Sequence, residues 1–197
     1  MKIHNVFPTL IFTHKIDLDY HSVYENLNNI EWDQESQQMS KNKNVINRVF
    51  LDLKPQISSF VGEVMESFGF EEHCIFRSWA TKIQSGHRSD FHTHINSFYS
   101  GVLYFHDNSS PLILRHPFPF CTHISLSDKF KHYNTDENLY YEPKAGEIIM
   151  FPSYLYHSVS VNTTNSTRYS MAFNVVPTGT YGNYDSKITV SVSESDN

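Results

Sequence analysis

Cysteine is nearly missing from this chain: Cys74 and Cys121 are the only two among 197 residues. They show no CxxC or comparable spacing, which excludes a thiolate zinc site and a disulfide-stapled secreted scaffold, and two reduced thiols are expected. Long apolar runs are also missing. No stretch approaches the ~20 residues a helix needs to cross a bilayer, and Met1-Lys2-Ile3-His4-Asn5 is not followed by a leader-like apolar segment. A soluble, cytoplasmic protein with no membrane partner is expected. Positive charge is in short supply too. Fifteen Lys and Arg stand against 21 Asp and Glu, for a net charge of -6, and without a basic stripe no nucleic-acid partner is expected.

The hydrophobic fraction is a modest 39%, but 15% of the residues are aromatic, and each aromatic buries a large area. The chain therefore reads as folded, with one domain over residues 1–197: a strand and helical flank to residue 70, a core over 74–177 and a tail from 179. Phe7 to Thr13 reads as a strand. Tyr20 to Ile30 reads as a helix capped by Asp19, and Glu31 to Asn47 as a polar loop. Pro55 opens a second helix whose Ile57, Phe60, Val61, Val64, Met65 and Phe68 form one stripe, stopped by Gly69. From Cys74 the pattern changes to short strands at 74–83, 101–105, 112–115, 139–141, 147–151, 157–161 and 168–176, with a further one at 188–192. Short strands at this spacing, preceded by helices, predict a mainly β fold with flanking helices, a jelly roll in particular.

Twelve histidines raise the prospect of a metal site. His92 and His94, in Asp90-Phe91-His92-Thr93-His94, would share one side of an extended chain, with Asp90 on the same alternation. His157 follows the apolar strand Gly146 to Pro152 and would sit at a sheet rim, where ligand sites are built. Arg168 and Ser170 share a strand face, and an inward guanidinium with a hydroxyl makes a carboxylate receptor. Each feature alone has an ordinary structural reading. Their order along the chain is what points to a site. Trp79, Phe91, Phe98, Tyr99, Phe151 and Phe173 are candidate pocket walls shared with the core. Asn174 is an isolated polar residue in an apolar run, and the irregular stretch 117–140 is a candidate substrate lid.

That order resembles the 2-oxoglutarate and Fe(II)-dependent oxygenases, with their double-stranded β-helix of the jelly-roll or cupin-like type. Gly86 with His92 six residues on matches the prolyl-hydroxylase-like Gly-x-x-x-x-x-His-x-Asp. The phrases His92 to Phe105, Phe151 to Val159 and Arg168 to Val175 are similar to a branch of that superfamily found in bacteria and phages, which implies a bacterial cytoplasm, or the host's if phage-encoded. The resemblance implies Fe(II) held by His92, His94 and His157, 2-oxoglutarate held by Arg168, Ser170 and Tyr104, O2 as oxidant, and ascorbate as a reductant. It implies hydroxylation of a prolyl or other side chain, or of a small molecule, with release of succinate and CO2. His94 stands where the family carries a carboxylate, so Asp90 and Asn96 remain alternatives to it as third ligand. Two rival readings also stand: a cupin-like three-histidine metalloprotein that does not use 2-oxoglutarate, and a non-catalytic binding domain.

Overall fold

Local sequence signals set the helical flank. The computed structural model describes residues 8–33, 38–107, 110–117 and 137–193. Asp19 caps α1 (Tyr20–Asn28), its carboxylate accepting from His21 N at 3.0 Å and so satisfying an amide that the helix start leaves free. A single turn, α2 (Val45–Arg48), interrupts the expected loop. In α3 (Lys54–Ser67), Pro55 lies in the first turn and Ile57, Phe60, Val61, Val64 and Met65 are all buried. Each such side chain contributes roughly 1.5–3 kcal/mol of burial, enough to fasten the helix to the sheet beneath it. Gly69, at φ +80°, adopts the left-handed conformation just past the end of α3.

Ten strands follow from the β-rich remainder of the described residues: β1 (Phe12–Lys15), β2 (Glu72–Ile83), β3 (Ser89–His92), β4 (Tyr99–Tyr104), β5 (Leu112–Arg115), β6 (Asn138–Tyr141), β7 (Glu147–Pro152), β8 (His157–Val159), β9 (Arg168–Tyr181) and β10 (Ile188–Val190). The larger sheet runs β1-β7-β4-β9-β10, with β2 also paired to β9, and the smaller runs β3-β8-β5-β6. All pairings are antiparallel. The expected jelly roll is the observed architecture. The first strand lies later than its sequence pattern suggests, at Phe12–Lys15, because its pairing with β7 selects His14 and Lys15 over the more apolar residues before them.

Alternation along β9 divides the larger sheet into two faces. Met171, Phe173 and Val175 join Leu103, Ile148 and Met150 in the core shared with α1 and α3. Gly101 makes room for the Phe173 ring, since a Cβ there would come within 2.2 Å of a ring carbon. Arg168, Ser170 and Asn174 occupy the other face and are buried. On that side Tyr104, Ile149 and Phe151 pack with Leu112 and Leu114 of the smaller sheet. The candidate site lies between the sheets on this face.

Candidate metal centre

Strand pairing brings the three histidines together. His92 is the cross-strand partner of His157 in the β3–β8 pair, and their rings lie 4.3 Å apart, centroid to centroid. His94 lies beyond the end of β3, placed by its N–H donating to Ser153 O at 3.0 Å. Its ring is 5.0 Å from His92 and 5.1 Å from His157. One potential ligand atom from each of the three falls within 4.8 Å of the others.

The backbone also selects the tautomer of two rings. Nδ1 of His92 is 2.8 Å from Asp90 O, and Nδ1 of His157 is 2.8 Å from Leu155 O. A carbonyl only accepts, so both Nδ1 atoms carry the proton and both Nε2 lone pairs are left for a metal. Burial holds His157 neutral, its pKa pushed down to about 3, with the Leu155 hydrogen bond opposing and His92 and His94 adding to the shift. Burial, then His92, takes His94 down to about 4. The set is a neutral three-nitrogen donor group that suits a divalent transition metal.

Asp90 stands apart from this cluster. The β3–β8 register shifts between Ser89 and His92, and a bulge breaks the simple alternation that would have put Asp90 beside His92. Its carboxylate is exposed and accepts from Arg88 Nε at 3.1 Å. Asn96, also outside the cluster, takes φ 56° in the turn after His94.

Arg168, at the start of β9, is 3% exposed. Its Nε and Nη1 are buried without hydrogen-bond partners, and its guanidinium lies 5.0 Å from the centroid of the Tyr104 ring. The Tyr104 hydroxyl is likewise buried and makes no well-formed hydrogen bond; burial pushes it up to about 12, which the Arg168 charge and the approach of the guanidinium to the hydroxyl only partly offset. Ser170 shares this face, but its hydroxyl is 2.6 Å from Thr81 Oγ1. Thr81 escaped the sequence reading because only the β2–β9 register makes it the partner of Ser170. Unpartnered buried N–H groups are uncommon, and a cation with a buried phenol beside it is chemically a receptor for an anion such as a carboxylate.

The expected pocket walls do not all reach the centre. The Trp79 ring lies 5.5 Å from His94, and Phe151 lies 4.7 Å from His157, so both line the centre. Phe98 and Tyr99 pack against Phe68 instead, and Phe173 lies in the helix-covered core. Phe91 stacks on Tyr156 with Arg115 over its ring. Asn174 is within 2.9 Å of Ser100 Oγ, which leads to Ser153 and Ser97 through contacts of 2.8 Å each. This buried polar row had no signal in the sequence beyond Asn174 itself. Cys121 and most of the proposed lid, residues 118–136, lie outside the described residues, and Cys74 is half-buried on β2.

Residues 77–174 match the family described as "Putative 2OG-Fe(II) oxygenase". The chain belongs to the 2-oxoglutarate and Fe(II)-dependent oxygenase superfamily. Among solved structures it is similar to HygX from Streptomyces hygroscopicus with nickel, 2-oxoglutarate and hygromycin B bound, at 10% identity and TM-score 0.63 over 86% of this chain and 84% of that one. It is also similar to SnoN, the non-heme alpha-ketoglutarate-dependent epimerase of nogalamycin biosynthesis, at 11% identity and TM-score 0.60 over 88% and 79%. EctD from S. alaskensis with 2-oxoglutarate and 5-hydroxyectoine is comparable, at 12% identity and TM-score 0.58 over 85% and 72%. At these identities the structures establish the shared fold of this oxygenase-superfamily chain. No curated protein matches it in sequence, and among its described residues no helix is long and apolar enough to cross a membrane.

Proposed function

We propose that this protein is an Fe(II)- and 2-oxoglutarate-dependent dioxygenase that hydroxylates a small molecule or a side chain and releases succinate and CO2. The observation that carries the reading is Arg168: a buried guanidinium with two unpartnered nitrogens, on the same inter-sheet face as a three-histidine cluster. His92, His94 and His157 would hold the iron. When bound, the iron supplies the activation of O2 that couples decarboxylation of the oxoacid to oxidation of the substrate. Arg168 would pair with the distal carboxylate of 2-oxoglutarate, and the Tyr104 hydroxyl would donate to it. Ser170 would reach the same carboxylate while held by Thr81. Trp79 and Phe151 would exclude water beside the metal. The 2-oxoglutarate bound in HygX and EctD supports the same co-substrate here.

The rival three-histidine metalloprotein has one feature in its favour, the imidazole of His94 in place of a carboxylate. Arg168 weighs against it, because such a protein has no use for a dry, unpaired guanidinium. Succinate release from 2-oxoglutarate in the presence of Fe(II) and O2 tests the proposal. Release is expected from the wild type and not from His157→Ala. Binding of 2-oxoglutarate at unchanged affinity in Arg168→Ala would overturn the assigned role of the arginine.

A further inference from the structure

The three candidate ligands are not held alike. His92 and His157 face each other across the β3–β8 pair, and each ring is fixed by an Nδ1 hydrogen bond to a carbonyl. His94 has neither support: it lies beyond the end of β3, and its ring makes no hydrogen bond to a described residue. It opens a turn in which Asn96 takes φ 56° and Ile95 is 80% exposed, so packing does not anchor the tip of that turn. Ser153, just past the end of β7, does the fastening. Its carbonyl accepts from His94 N at 3.0 Å, its N–H donates to Phe98 O at 3.1 Å, and its hydroxyl donates to Ser97 Oγ at 2.8 Å. One residue therefore clamps both ends of the stretch 94–98.

We infer that Ser153 is a positioning residue for the metal centre, its hydroxyl fixing the turn that presents His94 to His92 and His157. The inference rests on the metal-centre reading above and adds to it the group that places the third ligand. Ser153 is fully buried, and its hydroxyl has one proton to give. Ser97 spends its own proton on Tyr99 O at 3.0 Å, so Ser153 is the donor between the two serines. On the other side Ser100 Oγ lies 2.8 Å from the Ser153 hydroxyl, and Ser100 in turn lies 2.9 Å from Asn174. Asn174 of β9 and Ser100 of β4 are cross-strand partners, so the sheet itself holds the Ser153 side chain in place. A ligand whose ring has no hydrogen bond of its own must be ordered when the metal binds, at a cost in conformational freedom. The clamp removes the backbone share of that cost. Cutting it frees the turn, and the third imidazole is lost first, because His92 and His157 keep their strand pairing.

Two measurements on the full chain test this: calorimetric titration with Ni(II) for affinity, and pulsed EPR of the Cu(II)-loaded protein to count bound imidazoles. Ser97→Ala removes the hydroxyl that Ser153 holds, at a half-buried position that tolerates the change, and Ser97→Thr keeps a hydroxyl there. The wild type is expected to bind Ni(II) and to show three imidazoles on Cu(II). Ser97→Ala should bind Ni(II) about tenfold more weakly and show two imidazoles, and Ser97→Thr should restore both values. Ser153→Ala, which breaks the contacts to Ser97 and Ser100 together, should lose at least as much affinity. Wild-type Ni(II) affinity in Ser97→Ala overturns the inference. Weaker binding with all three imidazoles kept also overturns it, since that is general loosening and no loss of His94. Either result leaves the oxygenase reading standing. A wild-type protein without a three-imidazole site overturns the metal centre of that reading and the inference with it.

Discussion

Replacing Arg168 with methionine should make the ligand-free protein more stable and nearly abolish its affinity for 2-oxoglutarate. The guanidinium is 3% exposed with Nε and Nη1 unpartnered, and burial works against its charge. A buried charge that lacks its partner costs several kcal/mol of desolvation, and exchange for an apolar side chain of similar length is often stabilising by about 1–4 kcal/mol. Methionine packs readily beside Tyr104 and the aliphatic residues of the inter-sheet core. A gain of about 2 kcal/mol corresponds to roughly 4–8 °C in Tm for a chain of this size. The same change would remove the two charge-assisted hydrogen bonds that Arg168 is proposed to make to the co-substrate, each worth about 1.5–3 kcal/mol, so 2-oxoglutarate affinity should fall at least about a hundredfold. Thermal melts without ligand and calorimetry in the presence of Ni(II) measure the two effects separately. A less stable Arg168→Met protein that still binds 2-oxoglutarate at wild-type affinity would refute the reasoning, since Arg168 would then have a structural partner and no ligand role.

Three further outcomes follow from the same geometry. His157 titrates near 6.5 when unfolded and near 3 in the fold, so acid protonates the unfolded chain first and stability falls as pH drops from about 6.5 towards 3. Between pH 6.5 and 5 the loss from this group should be about 2 kcal/mol, measurable in urea melts of the metal-free protein and reduced in His157→Gln. Gly101→Ala forces a Cβ against the fully buried Phe173 ring and should cost about 1–3 kcal/mol in the same assay. Asp90→Asn should leave Ni(II) affinity unchanged, because its carboxylate faces solvent and Arg88; a tenfold loss would make Asp90 a ligand after all.

The architecture was legible wherever a pattern repeats. The stripe of α3 and the strands β5 and β7 appear close to where their periodicity puts them, because a 3.6-residue or two-residue repeat survives tertiary packing. The face division of β9 was legible for Arg168 and Ser170 for the same reason. Features that depend on pairing were not. Asp90 shares a parity with His92 in the sequence, and only the bulge between Ser89 and His92 separates them. Phe98 and Tyr99 carry no mark of which side of the sheet they face, and the structure puts them towards the helices, where Phe173 also lies through its parity opposite to Arg168 and Ser170 on β9. Thr81 and the serines at 97, 100 and 153 acquire their roles from register alone. His94 shows both sides of this: alternation placed it with His92, yet it is a backbone bond to Ser153 beyond the end of the strand that brings it there.

The central claim is that the histidine cluster and Arg168 hold one metal–oxoacid unit. Anaerobic addition of 2-oxoglutarate to protein loaded with Fe(II) tests it most directly, because a 2-oxo acid chelated to ferrous iron gives a visible charge-transfer absorption that neither component has alone. The band is expected to saturate with 2-oxoglutarate in the wild type, to vanish in His92→Ala and His157→Ala, and to require far more 2-oxoglutarate in Arg168→Met. A wild-type protein that binds Fe(II) and shows no such band at any 2-oxoglutarate concentration would contradict the account.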